Sequence, residues 1–236
     1  MRLDEIKQYD VVVIGASGGI GKAVCQKLER ENKTVFGVDI KDGAYVNHLV
    51  DASDFSALSE LLAKNFDSET IPRTFICCAG LYHRKALEDY GIDDIDEVFR
   101  NNFLSTTNIV KNVVDKYCDK QHEFNFVLLS SLAGHFGGFD PYYAAAKSAV
   151  MSFAKSVARE YQRYKIRVNV IAPGPTNTNM SNVMSEARKA YYLEQIPTGN
   201  YVEAKEIADL AYFLAFGSNS SINGAIFDID GGLIRR

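Results

Sequence analysis

Tyr9-Asp10-Val11-Val12-Val13-Ile14-Gly15-Ala16-Ser17-Gly18-Gly19-Ile20-Gly21 decides the fold. The run up to Ile14 is apolar and β-branched, the composition of a strand buried on both faces. Gly15 to Gly21 breaks it, and Lys22 to Arg30 then has helical character. Glycines between a buried strand and a helix let backbone N–H groups approach a phosphate, and the helix N-terminus adds partial positive charge. The spacing is G-x-x-x-G-x-G, not the G-x-G-x-x-G of the wider dinucleotide-binding class. A plain strand-to-helix turn would also use glycine. The same letters satisfy G-x-S-x-G, the elbow that presents a nucleophilic serine, but that motif needs an acid and then a histidine downstream. The last histidine is His135 and the elbow normally follows several strands, so the hydrolase alternative is set aside.

Outward from this unit, short apolar runs alternate with helical stretches. Strands are expected at Thr34–Asp39, Val46–Val50, Thr74–Ala79, Phe124–Ser130, Ile166–Ala172 and Ala225–Ile229. Helices are expected around Phe55–Asn65, along Asp93–Cys118 with acids in its first turns, and from Asp140-Pro141 to about Tyr164, opened by an N-cap and a proline at the first helical position. Further helical stretches fall near Ser181–Glu194 and Ala204–Ala215. The alternation implies an α/β fold: a single-domain Rossmann-type doubly wound parallel sheet of about seven strands, spanning 1–236, with helices on both faces. The irregular stretch 175–202 is the expected substrate lid.

Composition narrows the function. Of 236 residues, 47% are hydrophobic and 24% charged, which excludes disorder and fibrous architecture. The net charge of -4 argues against nucleic acid as a partner. No apolar run approaches the ~20 residues of a membrane span, and the charged N-terminus lacks a signal-peptide core. Cys25, Cys77, Cys78 and Cys118 form no C-x-x-C pair. They read as buried thiols in a reducing cytoplasm, with Cys77 and Cys78 on opposite faces of a strand, and no metal site is expected.

Asp39 ends the second expected strand, 18 residues after Gly21. An acid there accepts hydrogen bonds from the adenosine ribose hydroxyls and repels a 2′-phosphate, favouring NAD over NADP. Lys41, two residues on, is the one cation nearby. Tyr143-Ala144-Ala145-Ala146-Lys147 puts a phenol and an ammonium one turn apart on one helix face. A cation beside a phenol favours phenolate and lowers its pKa by ~1–3 units, bringing it into range for acid/base work. A snorkelling surface pair would show the same spacing.

Together with the glycine loop, this pair resembles the short-chain dehydrogenase/reductase family from the first strand to Gly231-Gly232. Asn102 matches the helix asparagine of the family's catalytic set, Ser130-Ser131 its serine pair, and Tyr143 and Lys147 complete the tetrad. Ser131, the second of its pair, is the serine implied, and it precedes Tyr143 by 12 residues. The resemblance implies that Tyr143 exchanges a proton with the substrate oxygen and Ser131 hydrogen-bonds that oxygen. Lys147 would hold the nicotinamide ribose and depress the Tyr143 pKa, and Asn102 would hold a water linking Lys147 to solvent. The implied cofactor set comprises Gly15, Ser17, Gly18, Gly19, Ile20, Gly21, Asp39, Ile40, Asp51, Ala52, Ala79, Gly80, Tyr143, Lys147, Pro173, Gly174, Thr176 and Thr178, with Asp51 near the adenine and Thr178 at the carboxamide. Ile14 and the Cys77-Cys78 pair depart from the family's threonine and asparagines, and cysteine cannot replace amide hydrogen bonds. A homotetramer or homodimer is expected, joined through the two long helices and the C-terminal region.

The resemblance implies an NAD-dependent oxidoreductase acting on a secondary alcohol or ketone of a small molecule. A cofactor-binding protein without catalysis is the alternative on the same fold. The loop Leu81-Tyr82-His83-Arg84-Lys85 follows the fourth strand, near the strand ends where ligands of this fold bind. Three potentially cationic residues there suggest an anionic substrate, and His135 is a further candidate for the pocket. The run Pro173 to Met180 and Phe36–Asp39 are faintly similar to dihydroxybenzoate-forming dehydrogenases. Ketoacyl-carrier reductases resemble the chain less, since they usually prefer NADP.

Overall fold

The computed structural model describes residues 8–118, 122–178 and 186–234. The first strand, β1 (Val11–Ile14), is followed by α1 (Gly19–Arg30), β2 (Val35–Asp39), β3 (His48–Leu49), α2 (Phe55–Asn65) and β4 (Thr74–Cys77). Next come α3 (Ile92–Phe99), a π-helical turn (Arg100–Leu104), α4 (Ser105–Tyr117), β5 (Phe124–Leu129), α5 (Ala133–Phe136), α6 (Pro141–Glu160) and β6 (Ile166–Pro173). The chain closes with β7 (Thr176–Asn177), α7 (Glu186–Gln195), β8 (Val202–Glu203), α8 (Ala204–Phe216) and β9 (Ile226–Ile229).

Seven strands form one parallel sheet in the order β3-β2-β1-β4-β5-β6-β9. The two-residue period of a strand decides what each face buries. Val12 and Ile14, with Phe126 and Leu128 of β5, pack under α2, α4 and α6. Val11 and Val13, with Val127 and Leu129, pack under α1 and α8. Cys77 joins the first layer and Cys78 the second, the opposite faces expected of neighbours on a strand.

The element pattern follows the sequence, with four differences. β3 is only His48–Leu49, shorter than the expected Val46–Val50, because it pairs only with Val38 and Asp39 at the sheet edge. α5 and the β7–β8 ribbon are too short to announce themselves by periodicity. The helix expected near 181–194 is seen over Glu186–Gln195 as α7, and positions 181–185 of the expected stretch lie outside the described residues. The single long helix expected over 93–118 is broken by the π turn, where Ser105 N–H donates to Arg100 O, five residues back. Side chains take up the displaced carbonyls. Asn101 and Asn102 donate to Glu97 O and Val98 O, at 2.9 and 3.0 Å. The Ser105, Thr106 and Thr107 hydroxyls donate to the Asn101, Asn102 and Phe103 carbonyls. Such hydroxyl back-bonding bends helices, and π turns concentrate at functional sites.

Candidate active site

Strand order runs one way from β1 through β2 to β3 and the other way from β4 to β9, so the connections diverge above the carboxyl ends of β1 and β4. Ligands of open parallel sheets bind at such a switch point. Gly15 (φ +81°) begins the turn, and a Cβ there would sit 2.5 Å from Ala79 N. At Gly21 it would sit 1.9 Å from Gly15 O. Glycine at both ends is therefore steric necessity, and it folds the loop tightly over β4. Gly18 precedes α1 without a side-chain cap, which leaves the N–H groups of the first turn to a ligand.

Two clefts flank this loop. The first is lined by Gly15, Ser17, Gly18, Asp39, Ile40, Lys41, Asp51, Ala52, Ala79 and Gly80, among others. Asp39 accepts from Ser17 N–H at 2.9 Å and Lys41 N–H at 3.0 Å, fixing its carboxylate on the rim. Asp51 pairs with Arg100 at 3.3 Å and accepts from Ser53 N–H. Its carboxyl lies below the ordinary range: burial pushes it up, but the Ser53 hydrogen bonds and the Arg100 guanidinium outweigh that. A glycine cradle, an uncapped helix start and a strand-end carboxylate fit the phosphates and ribose of a dinucleotide.

The second cleft is lined by Ile20, Tyr82, Arg84, Ser130, Ser131, Tyr143, Pro173, Gly174, Thr176, Thr178 and Tyr192, with Phe136 and Phe139 at its mouth. Thr178 packs so closely on Gly19 that a Cβ there would meet it at 2.9 Å. The two serines separate by their bonds. Ser130 Oγ donates to Lys147 O at 2.7 Å, whereas Ser131 Oγ accepts from Ala133 N–H at 3.2 Å and lines the same cleft as Tyr143.

Lys147 is 3% exposed. Its Nζ donates to Leu129 O at 3.1 Å and lies 5.9 Å from the Tyr143 ring centre. Burial lowers its pKa to about 8. The half-buried Tyr143 goes the other way: burial pushes its phenol up to about 12, against a smaller opposing effect of the nearby Ser131 hydroxyl. The expected depression by Lys147 is therefore not present in the chain alone. The ammonium is spent on a carbonyl, and both groups pay for desolvation.

Asn102 sits in the π turn with no exposed surface. Its Nδ2 donates to Leu81 O at 2.7 Å as well as to Val98 O, and its Oδ1 accepts from Leu81 N–H at 3.1 Å. It pins the chain just after β4. A Cβ on Gly80 would meet Asn102 Oδ1 at 3.0 Å and Lys147 Nζ at 3.3 Å, so glycine keeps the gap between these groups open.

Three of the four basic or histidine candidates for the substrate pocket are engaged elsewhere. His83 Nε2 approaches Glu97 to 3.0 Å, without hydrogen-bond alignment. Lys85 pairs with Asp94 at 2.6 Å. His135 Nε2 meets Asp228 at 2.8 Å, because its helical turn carries it toward β9. Only Arg84 lines the second cleft. His83, Asp94 and Glu97 bring ligand-type atoms within 4.8 Å of one another, but the Lys85 ammonium already sits on Asp94. Tyr82, whose ring lies 4.7 Å from that of Tyr143, and Tyr192 line the cleft from the loop at 81–86 and the stretch at 175–202.

A family profile described as enoyl-(acyl carrier protein) reductase matches residues 15–234. The chain belongs to the short-chain dehydrogenase/reductase family. A 3-oxoacyl-[acyl-carrier-protein] reductase of Thermotoga maritima is 29% identical over 238 residues, covering 94% of this chain and 96% of the relative. A 2-dehydro-3-deoxy-D-gluconate 5-dehydrogenase of Bacillus subtilis is 27% identical, covering 98% and 96%. A crystal structure titled as a putative 2-deoxy-d-gluconate 3-dehydrogenase from Agrobacterium tumefaciens, with bound NADP, superposes with a TM-score of 0.87 at 26% identity, covering 99% and 100%. This short-chain dehydrogenase/reductase is thus an oxidoreductase of a nicotinamide-using family. Its kinship to a ketoacyl-carrier reductase is nearer than the motif comparison implied.

Proposed function

We propose that the chain catalyses NAD-dependent hydride transfer between the cofactor and a secondary alcohol or ketone on a small anionic molecule. The observation that carries this reading is the meeting of Tyr143, Ser131 and buried Lys147 between the two clefts. Tyr143 exchanges a proton with the substrate oxygen, and Ser131 hydrogen-bonds the same oxygen. Lys147 would hold the nicotinamide ribose. Asn102 holds the Leu81 backbone beside Lys147 and, as the family resemblance implies, would hold a water that links Lys147 to solvent. The bound nicotinamide supplies the hydride chemistry and, when oxidised, a positive charge that favours phenolate.

NAD is preferred over NADP because Asp39 and Asp51 both line the first cleft, and a 2′-phosphate would meet carboxylates there. The cytoplasm suits the four free thiols. No described helix is long and apolar enough to cross a membrane. We assign a homotetramer or homodimer, one domain over 1–236, and 175–202 as the substrate cover, through which Pro175, Thr176, Thr178 and Tyr192 reach the second cleft. The aromatic lining from Tyr82, Phe136, Phe139 and Tyr192 favours a second substrate reading, oxidation of a cyclic dihydrodiol to an aromatic diol.

The test is turnover of secondary alcohols and hydroxy acids with NAD and with NADP. Tyr143→Phe should retain cofactor binding and lose about 10²- to 10⁴-fold in kcat, the scale of general acid–base catalysis. Full turnover by this variant would refute the mechanism.

A further inference from the structure

Asp140 lines the second cleft and is 1% exposed. The sequence shows it only as the N-cap of α6. In the folded chain its carboxylate gathers three donors from separate segments. Oδ1 accepts from Tyr143 N–H at 3.0 Å and from the Tyr90 hydroxyl at 2.7 Å. Oδ2 accepts from Arg84 N–H at 3.0 Å. One buried carboxylate thus ties the backbone of the proposed acid/base residue to the loop after β4.

Arg84 occupies the left-handed region at φ +63°, which residues with a side chain adopt only under constraint. The Asp140 hydrogen bond supplies that constraint. The Arg84 guanidinium lies 5.5 Å from the centre of the Tyr82 ring, which packs on Tyr143. Its Nε is enclosed and hydrogen-bonds to nothing among the described residues. The neighbouring His83 and Lys85 side chains lie against the α3 acids Glu97 and Asp94. A guanidinium lining a cleft that also carries the aromatic rings of Tyr82, Phe136, Phe139 and Tyr192 suits a ligand with an anionic end and an apolar body.

We propose that Asp140 is a positioning residue that holds Arg84 in place to recognise the carboxylate of an apolar-bodied substrate, and aligns that recognition with Tyr143. The inference rests on the oxidoreductase reading of this cleft and adds the substrate class and the group that sets it.

The two Asp140 oxygens make the roles separable. In Asp140→Asn, the amide oxygen can keep Tyr143 N–H and Tyr90, which leaves the NH₂ facing the Arg84 N–H, donor against donor. The α6 cap survives and the hold on Arg84 is lost. Benzoate and benzamide serve as probes, titrated calorimetrically into the protein saturated with NAD and, in parallel, NADP. The wild type should bind benzoate at least about tenfold more tightly than benzamide, the scale of a charge-assisted hydrogen bond. Arg84→Ala should erase the preference, Arg84→Lys should restore part of it, and Asp140→Asn should reduce it toward that of Arg84→Ala. Equal binding of the two probes, no benzoate binding, or an undiminished preference in Asp140→Asn would overturn the proposal. The readout needs no turnover. An active Tyr143→Phe variant would therefore remove the reaction assignment and leave this result standing, and the converse also holds.

Discussion

Replacing Lys147 by methionine should stabilise the fold while abolishing activity. The ammonium is 3% exposed and makes one hydrogen bond, to Leu129 O. Burial lowers its pKa from 10.5 to about 8, which corresponds to about 3 kcal/mol of penalty on the charged amine. Methionine has similar length and no charge, and leaves Leu129 O without its partner at a cost of about 1 kcal/mol. The net gain of about 2 kcal/mol should raise Tm by roughly 4–8 °C for a chain of this size. The sign depends on pH. Below pH 8 both folded and unfolded chains carry the charge, and the full penalty applies. Between pH 8 and 10.5 the folded lysine is neutral while the unfolded one stays protonated, so the penalty shrinks as pH rises. The advantage of Lys147→Met should therefore be largest at pH 7 and gone by about pH 10. Thermal melts of both proteins without cofactor, at the two pH values, provide the assay. A variant that melts at or below the wild type at pH 7, or whose advantage is the same at both, would refute the reasoning. The expected result is a lysine kept for chemistry against the interest of stability.

Asp39→Ala removes the acceptor for Ser17 N–H and Lys41 N–H as well as a charge from the rim of the first cleft. The ratio of kcat/KM with NAD to that with NADP should fall about tenfold or more, and an unchanged ratio would show that Asp39 does not select the cofactor. Asn102→Ala orphans both Leu81 backbone groups. Urea unfolding should show a loss of about 2–4 kcal/mol, and a loss below about 1 would mean that water replaces the amide. Asn102→Asp should recover little, since it keeps an acceptor for Leu81 N–H but no donor for Leu81 O or Val98 O.

The sheet was legible because its signals are local. β-Branched runs, glycine at the first turn and acids or proline at helix starts each act within a few residues of where they are read. Tyr143 and Lys147 were legible for the same reason, one helical turn apart. The π turn left a weaker trace in Ser105-Thr106-Thr107, three successive hydroxyl residues inside the helix expected over 93–118. His83, Lys85 and His135 misled because sequence shows a charge but not its partner. Their acids lie on α3 and β9 and meet them only in the folded chain.

By itself, the sequence determined the alternation of strands and helices, the glycine turn and the spacing of Tyr143 and Lys147 on α6. These depend on steric limits and periodicities that each segment carries with it. Only the tertiary structure decided that, of His83, Arg84 and Lys85, it is Arg84 that lines the cleft, that Asp140 joins it to Tyr143, and that burial drives the Tyr143 and Lys147 pKa values toward their neutral forms. Desolvation and long-range hydrogen bonding depend on what surrounds a group, and that is set by elements 50 or more residues away in the chain.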